Sequence, residues 1–282
     1  MYRCWIENEY NEKLELTNNK NFTVYQIDGL DPPAATINTS TVANFDGTTY
    51  NSSRANERNI VIYLTVEGDC EANRIQLYKH AKSKRAIRFY YQNDVRDVYI
   101  DGYVESIAIS FFEQKQAAQI SIICPNPWFK AAGVSVVEFS NTFSLFTFPF
   151  AYAEVGAPFS EIELGTQKSI INNGDIENGV IIQLSTQDVV LNPAVYNLTK
   201  GETLKLSLEM EAGDVITIDT RRGQKSITLL RDGATSNIIN AMGVNSTWFQ
   251  LRTGDNVFTY GADEFPENLA CEFVSTDEFE GV

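Results

Sequence analysis

The first half of the chain is built from short apolar runs and alternating apolar and polar positions, the patterns typical of β-strands. Residues 60–66 have the sequence IVIYLTV, whose β-branched and aromatic side chains predict a buried strand. Strand patterns follow in AIRFYY, VRDVYI, VESIAISF and QISIIC, separated by polar turns. This succession predicts an antiparallel sheet.

Two local features refine this sheet. Ile107, Ile109 and Phe111 alternate with small residues, so we expect their side chains on one face. Pro125 and Pro127 follow the last strand pattern. Proline cannot donate a hydrogen bond to a neighbouring strand, so the strand should end before them.

One segment of the first half has a helical pattern. Residues 70–84 are mostly polar, and Asp69 precedes them with a side-chain oxygen suited to an N-cap. Ile75, Tyr78 and Lys82 recur at helical spacing and would share a face. The sequence therefore predicts a short amphipathic helix over residues 70–84.

The second half is almost free of helical periodicity. It begins with a phenylalanine-rich run, VSVVEFSNTFSLFTFPFAY, which predicts a strand leading into a second sandwich or, alternatively, an exposed apolar contact surface. Strand patterns then recur in VIIQL, LKLSLE, DVITIDT, KSITLL, TWFQL and NVFTY, with turns near residues 201, 212 and 221. This spacing is typical of a β-sandwich or jelly roll. We predict a mostly β protein with domains at residues 1–135 and 136–282.

Size and charge limit the partners. A chain of 282 residues with 43% hydrophobic residues can fill two cores. The 22 basic and 37 acidic residues give a net charge of −15, which repels a phosphate backbone and argues against nucleic acid as a general partner. Neither a signal-peptide core nor a long apolar span is evident, so we expect no membrane insertion.

The sequence offers little for catalysis. Cys4, Cys70, Cys124 and Cys271 are scattered, and we interpret them as buried free thiols. The single histidine, His80, lies in the polar helix without a motif that brings a nucleophile to it. We therefore predict no catalytic, cofactor-binding or metal-binding residue. Carboxylate pairs of an acidic chain leave a glycosidase open as a minor alternative.

Two stretches carry a family resemblance. Residues 101–130 contain DGYVESIAISF, then AAQISIIC, and end in CPNPWFK. They resemble the end of the first domain in the distal tail proteins of long-tailed phages. A later run, GETLKLSLEMEAGDVITIDTRRGQKSITLLRDGATSNII followed by STWFQLRTGDNVFTYGA, is similar to the carboxy-terminal sandwich of the same family.

The resemblance implies both a fold and an assembly. The first domain would be a ring-forming β-sandwich carrying the predicted helix as an insertion, and the second a galectin-like or carbohydrate-binding-module-like sandwich. Six copies would close into a hexameric ring beneath the tail tube. The partners implied are the tail tube protein and the tail-tip, tail-associated or receptor-binding proteins. The expected location is the virion tail tip or baseplate, after synthesis in the host cytoplasm, with no enzymatic activity and no cofactor.

A run of basic residues is a candidate contact surface. A basic segment without acids spans residues 74–88 and is either a solvated face, a contact with an acidic neighbour, or the lining of the ring opening through which the genome passes. Its members are Arg74, Lys79, Lys82, Lys84, Arg85 and Arg88. The acidic residues near the end of the chain are interpreted as keeping an outer surface soluble.

The alternative function is a carbohydrate-binding adhesion module that recognises a host-surface glycan. Trp248, Tyr260 and Tyr196 could then stack on sugar rings. Trp248 also fits a core strand, because TWFQL alternates. Trp128 in CPNPWFK is interpreted as structural.

Overall fold

The computed structural model describes residues 2–44, 46–111, 113, 115–139, 142–144, 160–162 and 167–282. The chain forms two compact units: unit 1 contains residues 1–133 and 278–282, and unit 2 contains residues 134–277. We call residues 278–282 the return segment. No pattern in the sequence predicts this return to unit 1. Phe146, Phe148 and Phe150 of the phenylalanine-rich run lie outside the described residues.

The secondary structure is mostly β. The elements of the first 133 residues are β1 (Arg3–Asn8), β2 (Lys13–Glu15), β3 (Phe22–Asp28), β4 (Ala35–Ser40), β5 (Thr49–Ala55), β6 (Arg58–Val66), α1 (Cys70–His80), β7 (Ala86–Gln92), β8 (Asp97–Ile109), β9 (Gln116–Cys124) and β10 (Phe129–Ala131). The later strands are β11 (Ser135–Glu138), β12 (Thr142–Ser144), β13 (Ser160–Ile162), β14 (Lys168–Asn172), β15 (Val180–Thr186), β16 (Val190–Leu191), β17 (Ala194–Asn197), β18 (Glu202–Lys205), β19 (Glu209–Met210), β20 (Val215–Asp219), β21 (Ser226–Arg231), β22 (Ala234–Asn237), β23 (Gly254–Gly261), β24 (Leu269–Ser275) and β25 (Glu278–Phe279).

Unit 1 is organised around one antiparallel sheet. Seven strands follow the order β2-β1-β7-β8-β9-β6-β3, and β10 joins β8 to β25. Side chains alternate along the strands, so that Ile60, Ile62 and Leu64 of β6 enter the core. Phe89 of β7 and Leu77 of α1 belong to the same core. The predicted strand at residues 60–66 is confirmed.

The strand β8 corrects one prediction. The patterns VRDVYI and VESIAISF predict two strands, but both contribute to a single strand of 13 residues. A bulge between Val104 and Ser106 shifts the register with β9. An extra residue at a bulge reverses which side chains face inward, and Ile107 and Ile109 thereby return to the core side. Phe111 lies beyond the strand and is exposed, contrary to the expected alternation.

The helix α1 begins as predicted and ends earlier. The side chain of Asp69 accepts a hydrogen bond from the Ala72 amide at 3.2 Å, which confirms the N-cap. The helix ends at His80, and Lys84 has a left-handed backbone with φ of 69°. The predicted face was wrong. Asn73 and Leu77, four residues apart, are the buried residues of the helix, which leaves Ile75 and Tyr78 exposed.

Unit 2 is a sandwich of two antiparallel sheets. The sheets have the orders β11-β24-β15-β20-β21-β22 and β14-β23-β17-β18. Phe258 of the smaller sheet and Phe273 of the larger sheet meet in the core with ring centroids 4.9 Å apart. The glycine at residue 213 adopts φ of 87° and confirms the predicted turn there. The predicted mostly β fold is confirmed.

One strand prediction in unit 2 was wrong. TWFQL lies outside the named strands; its backbone forms a bridge between Leu251 and Asn178 and a hydrogen bond from the Thr247 amide to the Thr203 carbonyl oxygen. Its apolar side chains nevertheless enter the core, because Phe249 and Leu251 are fully buried. Alternation therefore identified the buried residues of this segment correctly and its hydrogen bonding incorrectly.

No helix among the described residues is long and apolar enough to cross a membrane.

Candidate assembly surfaces

The basic segment is partly neutralised within unit 1. Arg74 pairs with Glu71 on the same helix and lies 5.0 Å from the centre of the Phe111 ring. Arg85 lies 3.5 Å from Glu9. Lys79, Lys82 and Lys84 are exposed and have no acidic partner among the residues that the structure describes. The structure thus reduces the six basic residues to three lysines available for an external contact.

Arg88 has an internal role. Its Nε donates to Asp101 at 2.6 Å, and Lys130 donates to the other oxygen of Asp101 at 3.1 Å. Arg88 also lies 4.3 Å from the centre of the Tyr99 ring. Burial raises the pKa of Asp101, but the hydrogen bonds from Arg88 and Lys130 outweigh burial and lower it. This ionic group links β7, β8 and β10 on one face of the sheet.

A hairpin formed by β4 and β5 is the most exposed element of unit 1, and we call residues 35–55 the hairpin arm. It forms a separate two-stranded sheet, and no other strand of the described chain pairs with it. None of its strand residues is buried. Ile37 and Tyr50 have 62% and 61% of their surface exposed. Cross-strand hydrogen bonds join polar side chains, such as Asn38 to Ser52 at 3.0 Å.

The CPNPWFK motif connects the sheet to β10. β9 ends at Cys124, as the two prolines predicted. Pro127 and Phe129 are buried, whereas Trp128 is half-buried. Of the two aromatic residues predicted to anchor this segment, Phe129 is therefore the one that packs fully into the core.

The three proposed sugar-stacking residues differ in how exposed their rings are. Tyr260 is 7% exposed and packs edge to face against Phe139 at 5.9 Å. A buried ring offers no open face to a sugar, so Tyr260 is set aside as a candidate. Trp248 is half-buried, packs against the core and has the Lys225 ammonium 5.7 Å from its ring centre. Tyr196 is half-buried on β17.

The thiols are poorly suited to chemistry. Cys4, Cys124 and Cys271 are buried and Cys70 is half-buried, all as free cysteines. Burial raises the pKa of Cys4 and of Cys124 to about 12, and it raises that of Cys271 as well. These three therefore remain protonated at neutral pH. His80 lies in α1 with Nδ1 2.9 Å from the carbonyl oxygen of Gln76.

The acidic residues near the end of the chain are spread over several elements. Asp263 accepts hydrogen bonds from Lys205 at 2.6 Å and Asn192 at 2.9 Å, and these bonds lower its pKa. No group of three or more His, Cys, Asp or Glu side chains in the described part of the chain has a geometry that could hold a metal ion.

Two family models match the chain. A phage tail protein RIFT-related domain matches residues 11–124, within unit 1. The C-terminal domain of a siphovirus-type tail component matches residues 173–273, within unit 2. Together the two matches cover more than half of the chain. No curated protein sequence gave a significant match.

Solved structures show the same fold. SPP1 Dit, described as a paradigm of the hub adsorption apparatus in phages that infect Gram-positive bacteria, matches with a TM-score of 0.70 and 12% identity over 98% of this chain and 99% of that chain. A chain of the phage P2 baseplate in its activated conformation with Ca matches with a TM-score of 0.57 and 14% identity over the full length of both. The corresponding structure with Sr gives 0.54 and 12%, with 98% of each chain covered.

The matched domains and their order define a phage tail protein. The chain belongs to the family of siphovirus-type distal tail proteins, and it is a structural component of the tail tip or baseplate. This confirms the resemblance seen in the sequence motifs, and it favours the hub component over a carbohydrate-binding adhesion module. Sequence reasoning missed the hairpin arm, because its Thr, Ser and Asn residues resemble a polar loop. Its few apolar residues, such as Ile37 and Tyr50, do not alternate with polar ones in a strand pattern.

Proposed function

We propose that the chain forms a closed homo-oligomeric ring through unit 1, and that this ring joins the tail tube to the host-recognition proteins. The observation that carries the proposal is the hairpin arm. An isolated two-stranded hairpin is at best marginally stable in water, and a third strand or a packed face is usually needed. The arm has neither among the residues that the structure describes, so a neighbouring subunit is the natural source of the missing contact.

A second copy of the chain is the occupant that fits the arm best. Head-to-tail contacts around a closed axis use two different surfaces of each subunit, and a projecting ribbon on one side suits this geometry. The free edges of the arm can pair with strands of a neighbour, which also protects them from nonspecific pairing. Six copies are the number that the family resemblance implies.

The three lysines without an acidic partner among the described residues supply a second contact surface. Lys79, Lys82 and Lys84 follow one another from the end of α1 into the following turn. A patch of positive charge on a chain with a net charge of −15 favours an acidic surface, which a neighbouring subunit or tail protein can provide. On this proposal, the helix and the arm are both assembly elements of unit 1.

The arm is tested with the double variant Ile37→Glu and Tyr50→Glu. Both side chains are exposed in the subunit, so the fold should remain stable while a contact with a neighbour should be lost. We expect the wild-type protein to associate, alone or with the tail tube protein of its particle, and the variant to remain monomeric. Light scattering after size exclusion measures the mass, and negative-stain images of the same fractions reveal a ring.

The matched control is Tyr10→Glu with Val95→Glu, which changes two apolar residues in turns outside the arm that are at least as exposed as Ile37 and Tyr50. It should associate like the wild-type protein. Equal association of the arm variant would contradict a role for the arm. A wild-type protein that stays monomeric at every concentration, even with its tail tube protein, would contradict the ring.

A further inference from the structure

Arg58 is a buried cation at the base of the hairpin arm. It is the first residue of β6, which follows the arm in sequence, and it is 3% exposed. Its guanidinium donates hydrogen bonds to the carbonyl oxygens of Pro127 at 2.7 Å, Gly29 at 2.5 Å, Asp31 at 2.6 Å and Glu280 at 2.5 Å. The carbon of the guanidinium lies 4.5 Å from the centre of the Phe129 ring.

The four carbonyls come from three separate segments. Gly29 and Asp31 precede the arm, Pro127 belongs to the CPNPWFK motif, and Glu280 belongs to the return segment. A guanidinium presents five N–H groups in a fixed plane, so a single arginine can satisfy several carbonyls from different directions. Lysine offers one nitrogen and cannot reproduce this arrangement. Arg58 therefore joins segments that are far apart in sequence.

The return segment also contacts the base of the arm directly. The Val282 amide donates to the Leu30 carbonyl at 3.2 Å. A Cβ atom added to Gly281 would lie 3.1 Å from the Leu30 oxygen and 3.2 Å from Pro32 Cδ. The backbone of residue 281 is thus packed closely against residues 30–32.

Two further contacts hold the return segment in place. Phe279 pairs in register with Phe129 of β10, and its ring centre lies 4.2 Å from the guanidinium carbon of Arg96. Arg96 also donates a hydrogen bond to the Gly281 carbonyl. These contacts fix the return segment to the sheet independently of the arm.

We propose that the return segment is a strap that orders the base of the hairpin arm, with Arg58 as the shared contact. All of the second unit lies in the chain between β10 and the strap. The strap can therefore close only after unit 2 has been synthesised, so that an incomplete chain presents a poorly ordered arm. The consequence for ring assembly rests on the proposed function of the arm, whereas the coupling between strap and arm does not.

The coupling has a measurable signature. Two segments that share one set of buried contacts stabilise each other. Weakening one of them therefore lowers the protection of the other against amide hydrogen exchange. Perturbing the strap at a residue that does not belong to the arm should therefore increase amide exchange at the arm base. The central strands β8 and β9 should be unaffected, because the backbone hydrogen bonds between them do not involve the Arg58 side chain.

The test is hydrogen exchange by mass spectrometry on monomeric full-length protein. Phe279→Ala removes the ring that anchors the strap, and Gly281→Val places a side chain against residues 30–32. For both variants we expect exchange at residues 29–36 and 54–58 to be about tenfold faster or more, with β8 and β9 unchanged. The control Val95→Ala changes a highly exposed side chain in a turn of the same unit and should leave exchange in every segment unchanged.

Arg58→Lys is the second variant. It keeps the positive charge and loses the planar set of donors, so residues 29–36 and 278–282 should lose protection together. Unchanged exchange at residues 29–36 while the strap exchanges freely would overturn the proposal. A uniform increase that includes β8 and β9 would overturn it as well, because it would show global destabilisation. If the exchange results are as expected but the wild-type protein never associates, the coupling between strap and arm is supported and the proposed ring is contradicted.

Discussion

At the level of single residues, Asp214 shows how unit 2 uses a buried charge. Its side chain is 2% exposed, and Arg231 donates to it from Nη2 at 2.5 Å and from Nε at 2.9 Å. The Glu211 amide donates to the same carboxylate at 2.8 Å. The hydrogen bond from Arg231 lowers the pKa of Asp214, and burial opposes this effect without cancelling it. The carboxylate thus joins the turn before β20 to the end of β21.

A lowered pKa gives a defined pH dependence. The carboxylate binds a proton less readily in the folded protein than in the unfolded chain, so its stabilising effect is complete above the unfolded pKa, about 3.9, and is lost as the pH falls further. We expect the unfolding free energy of unit 2 to fall between pH 5 and pH 3 more steeply in the wild-type protein than in Asp214→Asn. Urea unfolding at several pH values measures this slope, and the exposed-site variant Asp188→Asn is the control. Equal slopes for wild type and Asp214→Asn would contradict the role of the ion pair.

At the level of elements, the contact between β8 and β9 depends on one glycine. Gly102 lies in the DGYVES part of the resemblance motif, on β8. A Cβ atom there would lie 2.7 Å from Ile122 Cγ2, 2.8 Å from the Ile123 oxygen and 2.9 Å from Cys124 Sγ. Contacts this short would force the two strands apart. The absence of a side chain at Gly102 therefore allows β8 to pack closely against the backbone and the core side chains of β9.

The alanine variant tests this packing. We expect Gly102→Ala to lower the free energy of unfolding of unit 1 by about 1–3 kcal/mol, the usual cost of overfilling a packed core. Gly133→Ala is the matched control, because nothing lies within 4 Å of the added atom. Thermal and urea unfolding of both variants measure the difference. Similar stability of the two variants would show that β8 and β9 can move apart at little cost.

Periodicity predicted the central strands and missed the polar ones. Residues 60–66 carry enough apolar side chains to reveal β6 from sequence, and the two prolines revealed the end of β9. The bulge in β8 left no sequence signal, because it depends on pairing with β9. The arm was missed for a different reason, because a ribbon without a buried face has no apolar alternation.

The candidate surfaces were only partly predictable. Clustering in sequence identified the basic segment, but not its acidic partners. Arg85 pairs with Glu9 in the turn after β1, and Arg88 pairs with Asp101 on β8. Arg58 gave no signal at all, because its partners range from 27 to 222 residues away in the chain. Contacts of this range require the folded chain.

At the level of the whole molecule, the acidic excess is unevenly distributed. Residues 134–277 contain 8 basic and 19 acidic side chains, a net charge of −11. Unit 1 contains 14 basic and 18 acidic side chains, a net charge of −4. The exposed lysines near α1 are therefore positive charges on an otherwise acidic molecule. Copies of such a molecule repel one another in general and attract only where this patch faces acids, which favours one orientation of approach.

Reversing this patch tests its role in assembly. We expect Lys82→Glu with Lys84→Glu to weaken association, because each substitution replaces an attraction to an acidic neighbour by a repulsion. Raising the salt concentration should reduce the difference in association between the variant and the wild-type protein, since exposed charges are screened within about 8–10 Å at moderate ionic strength. Light scattering over a concentration series at two salt concentrations measures both effects. The control Lys20→Glu with Lys115→Glu makes the same change of net charge at exposed lysines outside the patch. If both double variants associate equally well, the patch is a solvated face; if both lose association equally, net charge rather than this surface governs assembly.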